Sequence, residues 1–208
     1  MVKKCGEKLT SLLLQKHIIS ETEKNIYLYG FEIYISTFLT LLSLLIISIA
    51  IKRVISFLCF FSTFFVLRIF CGGYHAKTYS RCFFISHILF LLILALTEII
   101  LIIDIYFVVP VFVILSGIII FLLAPIKNKN HPLSEEMLNR NQFISRILCV
   151  VETLILLIGF ISPMIPREII FSSFSYTAVA VMMLIAIIPI KKGGEKNEKG
   201  IIKSCWSN

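Results

Sequence analysis

The sequence predicts an all-α integral membrane protein of about six transmembrane helices, with an amphipathic N-terminal helix on the cytoplasmic side. Three observations carry that prediction. Of 208 residues, 58% are hydrophobic and only 15% charged, with 18 Phe and a mean hydropathy of +0.96, more apolar matter than a soluble domain of this size can bury. The apolar residues are gathered into six runs, each near the roughly 20 residues that carry a helix across a hydrocarbon layer about 30 Å thick. The Lys and Arg residues fall almost entirely on one side of those runs.

In chain order, residues 1–30 form a cytoplasmic interfacial segment, 31–190 hold the six hydrophobic segments, and 191–208 form a flexible cytoplasmic tail, all within a single membrane domain, 1–208. The N-terminal lysines precede no apolar run longer than Leu12 to Leu14, too short for the core of a signal peptide. Residues 7–29 set Leu9, Leu12, Leu13, Ile19 and Ile26 at mostly three-, four- and seven-residue intervals among Lys, Glu and Gln, the pattern of a helix lying in an interface. The spans are read as Phe31 to Ile51, Val54 to Cys71, Phe83 to Ile103, Tyr106 to Ala124, Ile147 to Ile165 and Ile169 to Ile190. The second is the shortest and has Arg68 in its last turn, where a long basic side chain can snorkel. The tail is polar and contains glycine.

With an inside N-terminus and six crossings, only Lys52, Arg53 and Arg167 of the 20 Lys and Arg residues lie outside. The positive-inside rule therefore places both termini and the loop after the second span in the cytoplasm. The lipid bilayer accounts for the net charge of +8 and no nucleic-acid partner is needed. The six cysteines show no paired spacing and several sit in apolar runs, so free thiols are expected rather than a disulfide framework.

One loop holds residues of another kind. Gly72 and Gly73 follow directly on the second span, and a glycine there reads as a helix stop. A helix stop does not explain why the same short loop also holds His75 and, just before Phe83, Cys82. A cysteine hydrolase or transferase needs a thiolate to attack and an imidazole to carry the proton to the leaving group. A thiol in the first turn of a helix, near an imidazole and with Lys77 and Arg81 close in sequence, is in a setting that favours the thiolate; Thr78 or Ser80 are candidate caps. On a continuous helix the seven-residue separation would leave His75 and Cys82 about 10.5 Å apart along the axis. A working dyad therefore requires His75 on a non-helical loop folded back over the helix start, a bend that Gly72 and Gly73 allow.

The stretch RIFCGGYHAKTYSRC, Arg68 to Cys82, resembles the signature of the accessory gene regulator B family, R-x-x-x-G-G-x-H-A followed by a Cys seven residues after the His. Arg68, Gly72, Gly73, His75, Ala76 and Cys82 all match. Length, multiple spans and the element APIKNKNHPLS, Ala124 to Ser134, extend the likeness to essentially the whole chain. The resemblance implies a membrane cysteine endopeptidase that processes a quorum-sensing propeptide of the AgrD type, with Cys82 as nucleophile and His75 as general base. It implies no cofactor, and it suggests a homodimer. Arg68, Gly72 and Gly73 are motif positions assigned to loop shape and anion contact, and Lys127 and Lys129 to the acidic C-terminal tail of the precursor.

Other readings compete at several positions. Cys71, His75, Cys82 and His87 are zinc-ligand types, but their spacing matches no familiar zinc site, and no metal is expected. His87, five residues after Cys82, is the reserve choice of base. Glu98 lies about 24 Å along the third span from Cys82 and cannot orient His75, whereas Glu32 and Glu152 enter spans from the cytoplasmic side and could pair with Arg68 or His75. The competing function is a membrane transporter or scaffold for peptide export in which the loop gates a path.

Overall fold

The computed structural model describes residues 2–72, 79–126, 135–161 and 166–187. Among these the chain is all-helical, and six of its helices are long and apolar enough to cross a membrane. Helix α1 is Val2–Gln15, α2 is Lys24–Ala50, and the second span is assembled from α3 (Val54–Phe60), a π-helical turn (Phe61–Phe65) and α4 (Val66–Cys71). After them come α5 (Tyr79–Ile103), a short 3-10 turn at Tyr106–Val108, α6 (Val109–Leu123), α7 (Glu135–Ile161) and α8 (Arg167–Ile187). A bilayer leaves backbone groups no water to bond, so a chain this apolar satisfies them within helices. Leu122, Ile158, Phe84 and Ile102 are among the many large apolar side chains left uncovered, as a hydrocarbon solvent permits.

The amphipathic N-terminal segment ends earlier than its periodicity suggests. Helix α1 stops at Gln15, His17 adopts a positive φ of 54°, and Glu23 then accepts hydrogen bonds from the Ser20 N–H (3.0 Å) and hydroxyl (2.8 Å). These two bonds close the turn just ahead of α2, which starts at Lys24 with Glu23 at its N-cap position, so residues 24–29 belong to the first span. Helix α1 packs on this early part of α2 through small residues: a Cβ at Gly6 would stand 3.1 Å from Glu32 Cγ and 3.3 Å from Leu28 Cδ1, and Thr10 is buried. Leu9 and Leu12 stay exposed on α1 and are available to lipid.

Helix α8 is the centre of the bundle. It buries Ile170, Phe171, Ser172, Ser173, Ser175, Tyr176, Val179, Ala180 and Met183 and packs against α3, α5, α6 and α7. Serine and alanine let neighbouring helices approach closely, which is how helices pack where the solvent is as apolar as the side chains. The mid-bundle core is aromatic: Phe60 stacks on Phe64 at 4.7 Å and meets Phe90 edge-on at 5.3 Å, and Phe90 meets Phe171 at 5.8 Å, joining the second span, α5 and α8. A polar cluster ties α6, α7 and α8. The Tyr176 hydroxyl lies 2.9 Å from Thr153 Oγ1 and 3.1 Å from Cys149 Sγ, and the Cys149 thiol donates to the Gly117 carbonyl at 3.3 Å. Gly117 is required there, since a Cβ would come within 2.9 Å of Thr153 Oγ1.

Long-range contacts fix the direction of the spans. Ser43 of α2 meets His87 of α5, and Arg53, just past α2, meets Glu98 of α5, so the two helices run parallel in step. One end of the bundle therefore gathers the α2–α3 turn, the later part of α5 and the start of α8. The other gathers the end of α4, the start of α5 and the end of α6.

Candidate functional site

The second of those ends is assembled around Gly72. Helix α4 stops because Gly72 takes φ 71° and ψ −150°, a conformation open to glycine and strained for any other residue. Its N–H donates to the Arg68 carbonyl at 3.1 Å, and the Ile126 N–H donates to the Cys71 carbonyl at 3.0 Å. A Cβ at Gly72 would sit 3.0 Å from the Ile126 carbonyl oxygen. The absence of a side chain thus lets the chain leaving α4 lie directly against the chain leaving α6. The sequence reading of Gly72 as a helix stop holds, and the structure adds a contact that the sequence did not reveal.

Cys82 is the fourth residue of α5, in its first turn, with its side chain half-buried. Helix α5 begins at Tyr79, so Ser80 lies within the helix rather than ahead of it as a cap. The Arg68 guanidinium, projecting from α4, is an electrostatic neighbour of the Cys82 side chain. Its Cζ also stands 5.5 Å from the Phe64 ring centroid, a cation–π distance that helps hold the arginine in a low-dielectric setting. Phe64 belongs to the π-helical turn, an uncommon local structure found disproportionately near functional sites. The structure therefore brings together Arg68 and Cys82, two of the motif positions, across two helices. His75, Gly73, Lys127 and Lys129 lie outside the described residues.

The remaining candidates are placed elsewhere. Both ring nitrogens of His87 have partners. Its Nδ1 lies 2.7 Å from the Phe83 carbonyl, which can only accept, so Nδ1 carries a hydrogen; Nε2 lies 2.7 Å from Ser43 Oγ. The partners are Phe83, one residue past Cys82, and Ser43 on α2. Glu98 serves the opposite end, as its distance along α5 requires: Oε1 accepts from Arg53 Nη2 at 2.9 Å and Oε2 from Arg167 Nη2 at 3.1 Å. Two of the three basic residues that the charge pattern puts on the outside are thus held by one carboxylate. Glu32 packs against Gly6 of α1, and among the described residues Glu152 is in no ion pair. Cys5, Cys59, Cys71, Cys82 and Cys149 are free thiols, as expected.

Sequence reasoning missed Ser43 and Ile126. A serine in the apolar run LLSLLIISIA, which holds Ser43 and Ser48, was the available signal for the first, because a hydroxyl within a span seeks a partner. Ile126 acts through its backbone and gives no signal in its side chain.

No curated protein and no solved structure matches the chain. The family model described as Accessory gene regulator B matches residues 6–193, a range that takes in every span, the Gly72 turn and Cys82. The chain therefore belongs to the accessory gene regulator B family, which places it in quorum-sensing peptide processing.

Proposed function

We propose that the chain is a membrane cysteine endopeptidase that removes the C-terminal tail of a quorum-sensing propeptide through a thioester on Cys82 and promotes thiolactone closure. The observation that carries this reading is the Arg68 guanidinium beside Cys82 in the first turn of α5. An arginine near a thiol supplies positive charge to the sulfur in the form that attacks. In the proposed sequence His75 takes the Cys82 proton, and the sulfur attacks the scissile carbonyl. The bond to the tail breaks, and His75 returns the proton to the departing amine. The precursor's N-terminal part is left as a thioester. A cysteine within the precursor then attacks that thioester, its proton returns to the Cys82 sulfur, and one thioester is exchanged for another with no oxidant or reductant involved. Excluding water and holding the internal thiol close favour closure over hydrolysis.

Two further features support the reading. Lys127 and Lys129 follow Ile126 in the sequence, and the Ile126 N–H bonds the Cys71 carbonyl at the end of α4. An acidic tail recognised there would leave from the reacting end. The Lys and Arg distribution favours a cytoplasmic position for that end, in a cell membrane, where a newly made propeptide is at hand.

The test uses the full chain in vesicles with a propeptide that carries an internal cysteine and an acidic C-terminal tail. The wild type should cleave it, and Cys82→Ala and His75→Ala should fall below about one thousandth of that rate. A precursor fragment in thioester linkage to Cys82 should be detectable by mass spectrometry. Full cleavage by Cys82→Ala would sink the peptidase reading and leave the transport or scaffold function standing.

A further inference from the structure

We infer that His87 is a positioning residue for Cys82, acting as a bracket that fixes the first turn of α5 to α2. The inference rests on the thiol chemistry proposed above, but its first test does not need peptidase activity.

The first turn of a helix is its loosest part, because its N–H groups lack partners within the helix and a terminus frays readily. Cys82 sits in that turn, where fraying would swing its sulfur away from Arg68. Two side chains one turn further on resist this. The Ser86 hydroxyl donates to the Cys82 carbonyl at 3.0 Å, and His87 Nδ1–H donates to the Phe83 carbonyl at 2.7 Å. The His87 ring also lies over the Phe83 ring, with centroids 4.1 Å apart and planes 32° from parallel. His87 therefore grips the residue next to Cys82 by both its backbone and its side chain.

The other edge of the ring carries that grip to a second helix. Ser43 Oγ approaches both His87 Nε2 at 2.7 Å and the Thr40 carbonyl at 3.0 Å. The hydroxyl has one hydrogen, open to the Thr40 carbonyl or to Nε2, so Ser43 stands between the imidazole and its own helix. The contact at Nε2 links α2 to α5 across 44 residues of sequence. Arg68 reaches the same turn from α4. Cys82 is thus held between a guanidinium on one side and a serine-anchored imidazole bracket on the other.

The bracket predicts coupling between His87 and Arg68. If His87 matters because it keeps the sulfur opposite the guanidinium, its loss should count for little once Arg68 is gone. The probe is N-ethylmaleimide, with its second-order rate at Cys82 followed by mass spectrometry on the full chain in vesicles. His87→Ala and Ser43→Ala should each slow alkylation about fivefold to tenfold, and the double variant should be no slower than His87→Ala alone, because the interhelical bond is already broken in it. His87→Gln, which can reach Ser43, should recover most of the rate. In an Arg68→Gln background, His87→Ala should change the rate by less than about twofold. Ser43→Ala leaves α5 untouched, so a folding failure of His87→Ala would not remove the test.

With propeptide, His87→Ala should lower kcat with KM unchanged and keep the acid limb of the pH profile, which His75 would own. Equal alkylation rates in the wild type, His87→Ala and Ser43→Ala would overturn the inference. So would losses that add in the double variant, or loss of the acid limb. Failure of the wild type to cleave would instead count against the peptidase reading, with the alkylation rates still deciding the bracket.

Discussion

The two ends of the bundle deploy arginine in opposite ways. At the Glu98 end, Arg53 and Arg167 each place one N–H on a separate oxygen of the same carboxylate, so the α2–α3 turn, α5 and α8 are laced by charges that answer one another. At the Cys82 end, Arg68 is the electrostatic neighbour of a thiol, a group that carries charge only after it gives up a proton. The first arrangement suits a fixed joint. The second suits a site where negative charge comes and goes during a reaction. Backbone does not follow the same division: Gly72 takes φ 71° at the Cys82 end, while Lys52 and Asp104 take φ 58° and 62° at the Glu98 end.

The most direct way to break this contrast is to exchange the guanidinium for a neutral amide. Arg68→Gln should lower propeptide cleavage by about a hundredfold, the scale of losing one electrostatic donor from a reacting centre, while the helix content and the far ion pairs stay intact. Arg68→Lys keeps the charge but not the planar fork and should fall between the two. A cleavage rate for Arg68→Gln equal to wild type would reduce Arg68 to a snorkelling residue. Gly72→Ala tests the same end through the backbone. It forces a strained φ and brings a Cβ to 3.0 Å from the Ile126 carbonyl, a cost of about 1–3 kcal/mol. The expected signs are faster hydrogen exchange at the Ile126 amide, as its bond to Cys71 opens, and a cleavage rate about tenfold lower.

How much of this was readable in the sequence depends on what each feature is made of. Val54–Cys71 has the same limits in both readings, because Lys52 and Arg53 bound one end and Gly72 the other. Helix α7 starts at Glu135, twelve residues before the apolar run at Ile147, and α2 starts at Lys24 rather than Phe31. Hydropathy marks where a helix meets lipid, and a helix does not have to end where the lipid does. The types of Arg68 and Cys82 were visible, and so was their motif. Their approach across α4 and α5 was not, since it depends on how two helices pack, and the π-helical turn beneath Arg68 leaves no mark in FSTFF. The bond between Ser43 and His87 joins positions 44 residues apart, beyond the reach of any local pattern.

At the opposite end, Glu98→Gln should weaken the fold and leave the chemistry alone. The three side chains are each about one-third exposed, so solvent screens them and the loss is put at about 1–2 kcal/mol, well short of that for a fully buried pair. It would be read as a lower midpoint of unfolding in a detergent titration, with Cys82 alkylation by N-ethylmaleimide within about twofold of wild type. A collapse of alkylation in this variant would show that the two ends are coupled, and the division drawn between them would fail.

The smallest effect expected separates a carboxylate held by charges from one held by dipoles. Glu23 is fully exposed, yet the Ser20 N–H and hydroxyl hold its carboxyl below the usual carboxylate range. A carboxyl depressed in the folded state stabilises the turn above the pKa it has when unfolded, and that contribution fades as pH falls through the lower folded value. Hydrogen exchange in residues 16–23 should therefore be slow at neutral pH and speed up, after correction for intrinsic rates, only in acid, below the usual carboxylate range. Ser20→Ala should remove part of the step. Because the partners of Glu23 are dipoles, raising salt at neutral pH should barely change exchange in this turn, whereas the exposed part of the Glu98 cluster should loosen with it. A turn that loosened with salt as much as the Glu98 end does would mean that Glu23 is answered by charge after all, and the lysines at 16 and 24 would be the first places to look for it.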